Sequence, residues 1–205
     1  MYVRITWFDV PTDQLEGRIA DYPTRMQSIR EAPGCMGIGA LANRETGAGV
    51  SVSYWETKES MLASDAISDK LRTQLSAEGG IQLRDLDRFE FLIQERVAPP
   101  SAGTFARVVD SVVPTANVDA IADLLRTRVG DARALPGFQA LLVMANRDTG
   151  RLLITSIWNS AAYREASNEA LQGARDEVRA LSGGANVKVD LFEVAYLDIK
   201  LPTPA

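Results

Sequence analysis

The side chains best suited to chemistry in this sequence occur in pairs that are separated by 103 positions. One pair is Arg4 and Arg107, and a guanidinium in a dry pocket can stabilise an enolate or a phenolate. Each copy also has a serine two positions before a tryptophan, which places a hydroxyl near an indole that can stack on a flat ligand. The candidate catalytic residues are Arg4, Arg107, Trp55 and Trp158, and the candidate ligand-binding residues are Ser53, Ser156, Asn43, Asn146, Glu90 and Glu193.

Most of these candidates also have a structural explanation. Trp55 and Trp158 would serve equally well as core residues where a strand meets a helix. Asn43 and Asn146 begin polar loops that end in glycine, a composition typical of turns, because asparagine and glycine accept left-handed backbone geometry. At the level of the sequence both explanations stay open.

The arginines are also expected to form ion pairs. Strand alternation predicts that Val3 and Ile5 face the helices, which leaves Arg4 on the other, inter-sheet face. Glu90 is assigned to that same face, so we expect an Arg4–Glu90 pair across neighbouring strands. The repeat predicts Arg107–Glu193 in the same way, either as a polar anchor of a ligand cavity or as a structural pair.

Much enzyme chemistry is excluded by composition. The sequence contains no histidine and one cysteine, Cys35. It therefore has no Ser-His or Cys-His nucleophile pair, no imidazole base and no histidine ligand for a metal or haem. A zinc site built from cysteine and histidine is excluded as well, so neither a metal nor a cofactor is predicted.

Charge and hydropathy narrow the partners and the location. A net charge of −5 argues against a nucleic-acid partner, which requires a basic surface. No apolar run approaches the ~18 residues of a membrane span, so no membrane association is expected. The N-terminal residues do not form a signal-peptide pattern and the lone cysteine cannot form an internal disulfide, so a cytoplasmic location is predicted.

The same spacing relates the two halves of the whole chain. A shift of 103 positions aligns Ala42–Gly47 with Ala145–Gly150 without a gap, and about a quarter of all positions are identical. Between the copies, 98–103 contains Pro-Pro and glycine and can continue neither a helix nor a strand. The predicted organisation is a first unit at 1–97, a linker at 98–103, a second unit at 104–200 and a tail at 201–205.

Apolar periodicity predicts the order β-α-β-β-α-β in each copy. Alternation over 2–8 indicates a strand, and helical spacing follows over 12–31. Two apolar runs then flank a turn before a helix that Thr57, or Ser160 in the second copy, can cap. This is the ferredoxin-like arrangement, which leaves one sheet face without helices. We therefore expect an α+β protein in which two ferredoxin-like βαββαβ units pack sheet to sheet as an intramolecular dimeric α+β barrel. The chain would then be a pseudo-dimer, and whether it assembles further into a homo-oligomer stays open.

Short motifs at equivalent places resemble the antibiotic biosynthesis monooxygenase family of the dimeric α+β barrel superfamily. They are Pro33-Gly34-Cys35 with Trp55-Glu56-Thr57 in the first copy, and Pro136-Gly137-Phe138 with Trp158-Asn159-Ser160 in the second. The resemblance implies cofactor-independent monooxygenation of a small aromatic or polyketide-like substrate. The haem-degrading branch is not matched, because its strand-one asparagine and its histidine beyond the tryptophan are missing here.

Two functional hypotheses follow. The first is an enzyme in which Trp55 or Trp158 stacks on the substrate and Arg4 or Arg107 stabilises its anion. The second is a non-catalytic small-ligand-binding or scaffold protein of the same fold, which the missing histidine favours. Since matching positions maintain a shared architecture, a specialised site is expected where the two copies differ.

Overall fold

The two halves of the chain have the same order of secondary structure. The computed structural model describes residues 1–98, 101–183 and 186–200, and each half has the order strand, helix, strand, strand, helix, strand. The first half contains β1 (Tyr2–Asp9), α1 (Thr12–Arg25), α2 (Gln27–Arg30), β2 (Cys35–Ala42), β3 (Ala48–Trp55), α3 (Lys58–Ala63), α4 (Asp65–Glu78) and β4 (Gln82–Arg96). The second contains β5 (Phe105–Val112), α5 (Val118–Arg133), β6 (Phe138–Asn146), β7 (Arg151–Trp158), α6 (Ala161–Ala170), α7 (Gln172–Leu181) and β8 (Val187–Ile199). The predicted fold class, α+β with two ferredoxin-like units, is confirmed.

The helices that follow the third strand of each half begin at the predicted caps. Thr57 Oγ1 accepts a hydrogen bond from the main-chain N–H of Ser60 at 3.1 Å, at the start of α3. Ser160 Oγ accepts one from the N–H of Tyr163 at 3.2 Å, at the start of α6. Each cap satisfies an N–H that has no partner within its helix, which fixes where the helix leaves the sheet.

The chain divides into a compact unit of residues 1–88 and 193–200 and a second compact unit of residues 89–192. In the first unit β3 lies between β1 and β2, antiparallel to both, and residues 193–199 of β8 pair with β2. In the second unit β7 lies between β5 and β6, and residues 90–96 of β4 pair with β6. The long strands β4 and β8 therefore each contribute residues to both units.

Each unit has a core between its sheet and its helices. In the first unit Trp55 packs with Met26, Ile29 and Met61. In the second unit Trp158 packs with Val118, Ile121 and Phe138, and the ring of Phe138 meets it edge-on at a centroid distance of 5.5 Å. These aromatic anchors fix the helix-covered face of each sheet, on which the candidate arginines lie.

Two segments of the predicted domain organisation extend beyond the described residues. Residues 99–100 of the predicted linker and the predicted tail at 201–205 lie outside the described residues. The repeat boundaries at 1–97 and 104–200 stay a prediction about the sequence units.

Candidate functional site

Arg4 lies on the helix-covered face of β1, which corrects the predicted face. Its Nη2 donates hydrogen bonds to the main-chain carbonyl of Met61 and, at 2.9 Å, to Ser64 Oγ, both next to α3. Side chains alternate along a strand, so Val3 and Ile5 lie on the opposite face. The prediction is wrong because Val3, Arg4 and Ile5 are all at most 3% exposed, so hydrophobicity does not distinguish the two faces of this strand.

A carboxylate compensates the charge of Arg4. Its Nη2 lies 2.6 Å from Asp65 Oδ1, and Arg88 donates to the same oxygen at 2.9 Å. Burial lowers the pKa of Arg4, while Asp65 acts to raise it. Burial would raise the pKa of Asp65, but hydrogen bonds and charges from Arg88 and Arg4 outweigh it and lower the pKa. The first unit therefore holds its buried guanidinium in an ion-paired cluster.

Arg107 is the counterpart of Arg4, and its surroundings contain no such carboxylate. It is 5% exposed, donates to Ser167 Oγ at 2.9 Å and to the main-chain carbonyl of Arg164 at 2.7 Å, and reaches the same helix position as Arg4 does. The residue equivalent to Asp65 is Asn168, which carries no charge. Burial and then the charge of Arg175 lower the pKa of Arg107 to about 10.

The two predicted arginine–glutamate pairs are wrong. Glu90 forms an ion pair with Arg147, the arginine of the β6–β7 turn. Glu193 forms one with Arg44 at 2.5 Å, the equivalent arginine of the β2–β3 turn. Since Arg4 and Arg107 lie on the helix side, each glutamate instead pairs with an arginine at the end of a neighbouring hairpin.

Both tryptophans are core residues that organise the serine two positions before them. Trp55 and Trp158 are 0% exposed, and neither lines the two cavities described below. Trp55 Nε1 donates to Ser53 Oγ at 2.9 Å, and Trp158 Nε1 donates to Ser156 Oγ at 3.0 Å. Each indole satisfies its N–H inside its own strand, so the serine hydroxyl keeps its hydrogen for another acceptor.

The repeated asparagines form turns. Asn43 Oδ1 accepts from the main-chain N–H groups of residues 45 and 46 at 3.0 Å. Asn146 Oδ1 accepts from those of residues 148 and 149 at 3.0 and 3.3 Å. Gly47 and Gly150 close the loops with φ of 75° and 74°, and a Cβ at Gly47 would lie 1.9 Å from the carbonyl oxygen of Val10. These contacts support the turn interpretation.

A cavity of about 290 Å³ opens in the second unit between the sheet and helices α5 and α7. Arg107 and Ser156 lie on its sheet side, so the structure brings together two of the candidate residues. Most of the exposed wall area is apolar, although half of the lining residues are polar or charged and four of them are arginines. Its lining includes Arg107, Ser111, Leu125, Arg128, Leu141, Ile154, Ser156, Asn168, Gln172, Arg175, Asp176, Val178, Arg179, Val187 and Val189.

The equivalent cavity of the first unit has a volume of about 90 Å³. Tyr22 narrows it, because its hydroxyl donates to the main-chain carbonyl of Gly39 at 2.6 Å and lies 2.9 Å from Ser51 Oγ. Phe8 covers Gly49 so closely that a Cβ there would lie 2.2 Å from its ring. Burial raises the pKa of the Tyr22 phenol.

The larger cavity follows from substitutions between the two copies. Tyr22 and Phe8 correspond to Leu125 and Ser111, which are smaller and leave more space. Ser51 corresponds to the larger Ile154, which replaces a polar wall residue with an apolar one. Ser111, Arg175, Asn168 and Gln172 are missing from the candidates inferred from the sequence. Comparing the copies position by position for lost carboxylates and lost aromatic rings gives the signal that identifies them.

The described residues contain no group of three or more Cys, Asp or Glu side chains that could hold a metal ion. In the same parts of the chain, no helix is long and apolar enough to cross a membrane.

Comparison with protein families and sequences identifies relatives of the chain. Residues 1–66 match the Antibiotic biosynthesis monooxygenase family. An uncharacterized protein of Mycobacterium tuberculosis is 24% identical over 205 residues, which cover 98% of this chain and 91% of that protein. A second uncharacterized protein of the same bacterium is 24% identical over 179 residues, 86% of this chain and 75% of its own length.

Solved structures support the fold. An anthrone oxidase-like protein aligns with a TM-score of 0.75 at 17% identity, over 100% of this chain and 96% of its own. A heme-degrading enzyme from Listeria monocytogenes aligns with a TM-score of 0.56 at 12% identity, over 95% of this chain and 99% of its own. At these identities the likeness extends to the fold alone.

Proposed function

We propose that this chain, a tandem member of the antibiotic biosynthesis monooxygenase family, is a cofactor-independent monooxygenase whose working site is the cavity of the second unit. The observation that carries the proposal is Arg107, a guanidinium that is 5% exposed and faces an open apolar cavity without a carboxylate partner in the described part of the chain. The substrate is a small aromatic or polyketide-like molecule. The similarity to an anthrone oxidase-like protein supports a substrate with an acidic C–H next to a carbonyl.

Arg107 stabilises the anion on which this reaction depends. Loss of a proton from a CH₂ group beside a carbonyl leaves an enolate, and a fixed cation in a mostly apolar cavity stabilises that charge strongly. The enolate gives electrons to O₂ and forms a C–O bond, and the hydroperoxide then loses water. Overall one CH₂ becomes C=O, one oxygen atom of O₂ enters the product and the other leaves as water, so no external reductant is needed.

The cavity also provides polar contacts that orient a substrate. Ser156 Oγ accepts the Trp158 N–H, so the serine hydroxyl hydrogen remains available for a substrate oxygen. Leu125, Leu141 and Ile154 exclude water from the ring system. A wall whose exposed area is mostly apolar, with polar groups placed to orient a ligand, is typical of small-molecule sites.

Oxygen uptake tests the proposal. An oxygen electrode should record consumption with 1,8-dihydroxyanthrone or unsubstituted anthrone, with formation of the corresponding anthraquinone. Arg107→Gln should lower the rate by ~10²–10³-fold, the usual cost of losing an oxyanion donor. Arg72→Gln changes an arginine in the smaller cavity of the first unit and serves as a matched control. The absence of oxygen uptake by the parent protein with either compound would refute the oxygenase.

A non-catalytic ligand-binding protein is the second candidate. The observation that favours it is the lack of an obvious base, because Asp176 is the one carboxylate among the described cavity residues and it accepts a hydrogen bond from Gln172 at 2.9 Å. A protein of this kind would bind aromatic ligands, with a rise in melting temperature, but would consume no oxygen. The same pair of measurements separates the two candidates.

For its setting we propose the cytoplasm, since Cys35 is a free, buried thiol. The proposed partner is a small aromatic ligand, with no nucleic acid and no membrane. Assembly into a further homo-oligomer is an open alternative that sedimentation would test.

A further inference from the structure

Two aspartates of the first unit neutralise two arginines. Asp65 Oδ1 lies 2.6 Å from Arg4 Nη2, and Asp69 Oδ1 lies 2.6 Å from Arg72 Nη2. Both carboxylates belong to α4, one turn apart. The helix of the first unit therefore supplies a carboxylate for each of these two guanidinium groups, and Asp65 also pairs with Arg88 at 2.9 Å.

The second unit keeps both arginines and loses both carboxylates. The equivalents of Arg4 and Arg72 are Arg107 and Arg175, whereas Asp65 and Asp69 correspond to the uncharged Asn168 and Gln172. Arg175 donates to the main-chain carbonyls of Asn168 at 2.8 Å and of Ser167 at 3.3 Å. Across residues 101–183 and 186–192, no carboxylate lies within ion-pairing distance of either arginine.

Two other charged groups near this cavity have partners of their own. Glu165 is held by Arg164 at 3.2 Å and by Asn168 at 3.1 Å. Arg128 pairs with Glu177 at 2.5 Å on the rim. In residues 101–183 and 186–192 neither Arg107 nor Arg175 has a carboxylate in an ion pair, although the charge of Glu165 attracts Arg107, and a buried charge is costly unless a partner neutralises it.

We propose that the cavity of the second unit binds an aromatic carboxylate, with the carboxylate held by Arg107 and Arg175 and the ring against the apolar wall. The proposal rests on the assignment of this cavity as the ligand site under the proposed function, but not on turnover. The ligand supplies the negative charge that Asp65 and Asp69 supply in the first unit. A planar carboxylate also matches the fork of N–H donors on a guanidinium.

The size and composition of the cavity limit the rest of the ligand. A volume of about 290 Å³ lies at the lower end of the ~300–1,000 Å³ typical of small-molecule sites, so the ligand is a compact, flat ring system. Leu125, Ile154 and Val178 form apolar surface beside the two arginines. An anionic head on a flat apolar body satisfies both parts of the site.

Isothermal titration calorimetry with 1-naphthoate and 1-naphthamide tests the proposal directly, because the two probes differ in charge and little in shape. The naphthoate should bind at least tenfold more tightly than the amide. Arg175→Gln should weaken naphthoate binding about tenfold, whereas Arg72→Gln, the equivalent change in the first unit, should leave it unchanged. Equal affinity for the two probes, or no binding of either, overturns the proposal.

Restoring the missing carboxylates provides the opposite test. The double variant Asn168→Asp with Gln172→Glu reproduces the charge pattern of the first unit inside the second. It should fold and should bind naphthoate at least tenfold more weakly, because internal carboxylates then compete for the arginines. Asp69→Gln in the first unit is the control and should bind as the parent does. Unchanged affinity in the double variant contradicts the proposal.

Oxygen uptake with the uncharged anthrone, recorded on the same sample, separates this inference from the proposed function. Naphthoate-selective binding without oxygen uptake rejects the oxygenase and keeps the anion site. Oxygen uptake without preference for naphthoate over naphthamide rejects the anion site and keeps the oxygenase.

Discussion

Asp65 Oδ1 lies 2.6 Å from Arg4 Nη2, and this ion pair has no counterpart in the second unit, where Asn168 takes the place of Asp65. The arginine itself is retained as Arg107, with Ser167 in place of Ser64 as its hydroxyl acceptor. One change from a carboxylate to an amide thus converts an internally neutralised cation into one that faces a cavity. This relationship is the basis of the asymmetry between the two halves.

Exchanging these two residues should change stability in opposite directions. Asn168→Asp gives Arg107 a carboxylate but removes the hydrogen bond that Asn168 donates to Glu165, so the free energy of unfolding should rise by at most about 1 kcal/mol at this solvent-exposed position. Asp65→Asn removes the partner of Arg4 and leaves a buried cation, so it should lower the free energy of unfolding by about 2 kcal/mol. Urea unfolding followed by circular dichroism measures both.

The pair of variants contains its own control, since the two substitutions are the reverse of each other at equivalent helix positions. A loss of stability in Asn168→Asp well beyond the ~1 kcal/mol of the lost Asn168–Glu165 hydrogen bond would show that a carboxylate here does not stabilise Arg107, and this result would contradict the charge argument.

The sequence predicts the fold far better than the site. Alternation, helical spacing, Thr57 and Ser160 as caps, and the asparagine turns are local signals, and each appears where the pattern indicates. The face of β1 on which Arg4 lies cannot be predicted from the local pattern. Both faces of the strand are buried, and the position of the helices determines which face holds Arg4. The cavity depends on Leu125 standing where Tyr22 stands in the other copy, a volume difference that acts only once a helix and a sheet are packed together.

Naphthoate binding should depend on pH only under alkaline conditions. Burial lowers the pKa of Arg107 to about 10 in the ligand-free protein, where Arg175 and Arg164 repel its charge and Glu165 attracts it. A bound carboxylate favours the protonated guanidinium and so raises this pKa. Affinity should therefore stay constant from about pH 6 to 9 and fall by up to ~10-fold per unit above about 10, as the free protein loses the proton that the complex keeps.

Calorimetric titrations at several pH values measure this profile, with circular dichroism at each pH to verify that the protein stays folded. Arg107→Lys is a useful comparison, because the shorter ammonium stem should weaken binding even at pH 7. An affinity that already falls between pH 6 and 8 would show that a different group governs binding.

Tyr22 should contribute stability through the contacts that narrow the first cavity. Tyr22→Phe keeps the ring but leaves the Gly39 carbonyl and the Ser51 hydroxyl without their partner. The free energy of unfolding should fall by about 1–3 kcal/mol, the cost of unsatisfied buried polar groups. Tyr163→Phe changes an exposed tyrosine and is the control. Naphthoate binding should be unaffected, since Tyr22 does not line the cavity of the second unit.

The two buried tryptophans should prove structural and not part of ligand recognition. Trp55→Phe and Trp158→Phe each remove ring volume and the indole N–H donated to Ser53 or Ser156, so each should lower the free energy of unfolding by about 2 kcal/mol. Trp158→Phe should change naphthoate affinity by less than about threefold, because the indole is 0% exposed and lies outside the cavity lining. The chain has three tryptophans, so Trp7 remains as a fluorescence probe of folding in both variants. The opposite result would be a tenfold loss of naphthoate affinity in Trp158→Phe alone, with Trp55→Phe equally destabilised but binding naphthoate normally. That result would identify Trp158 as a residue that stacks on the ligand.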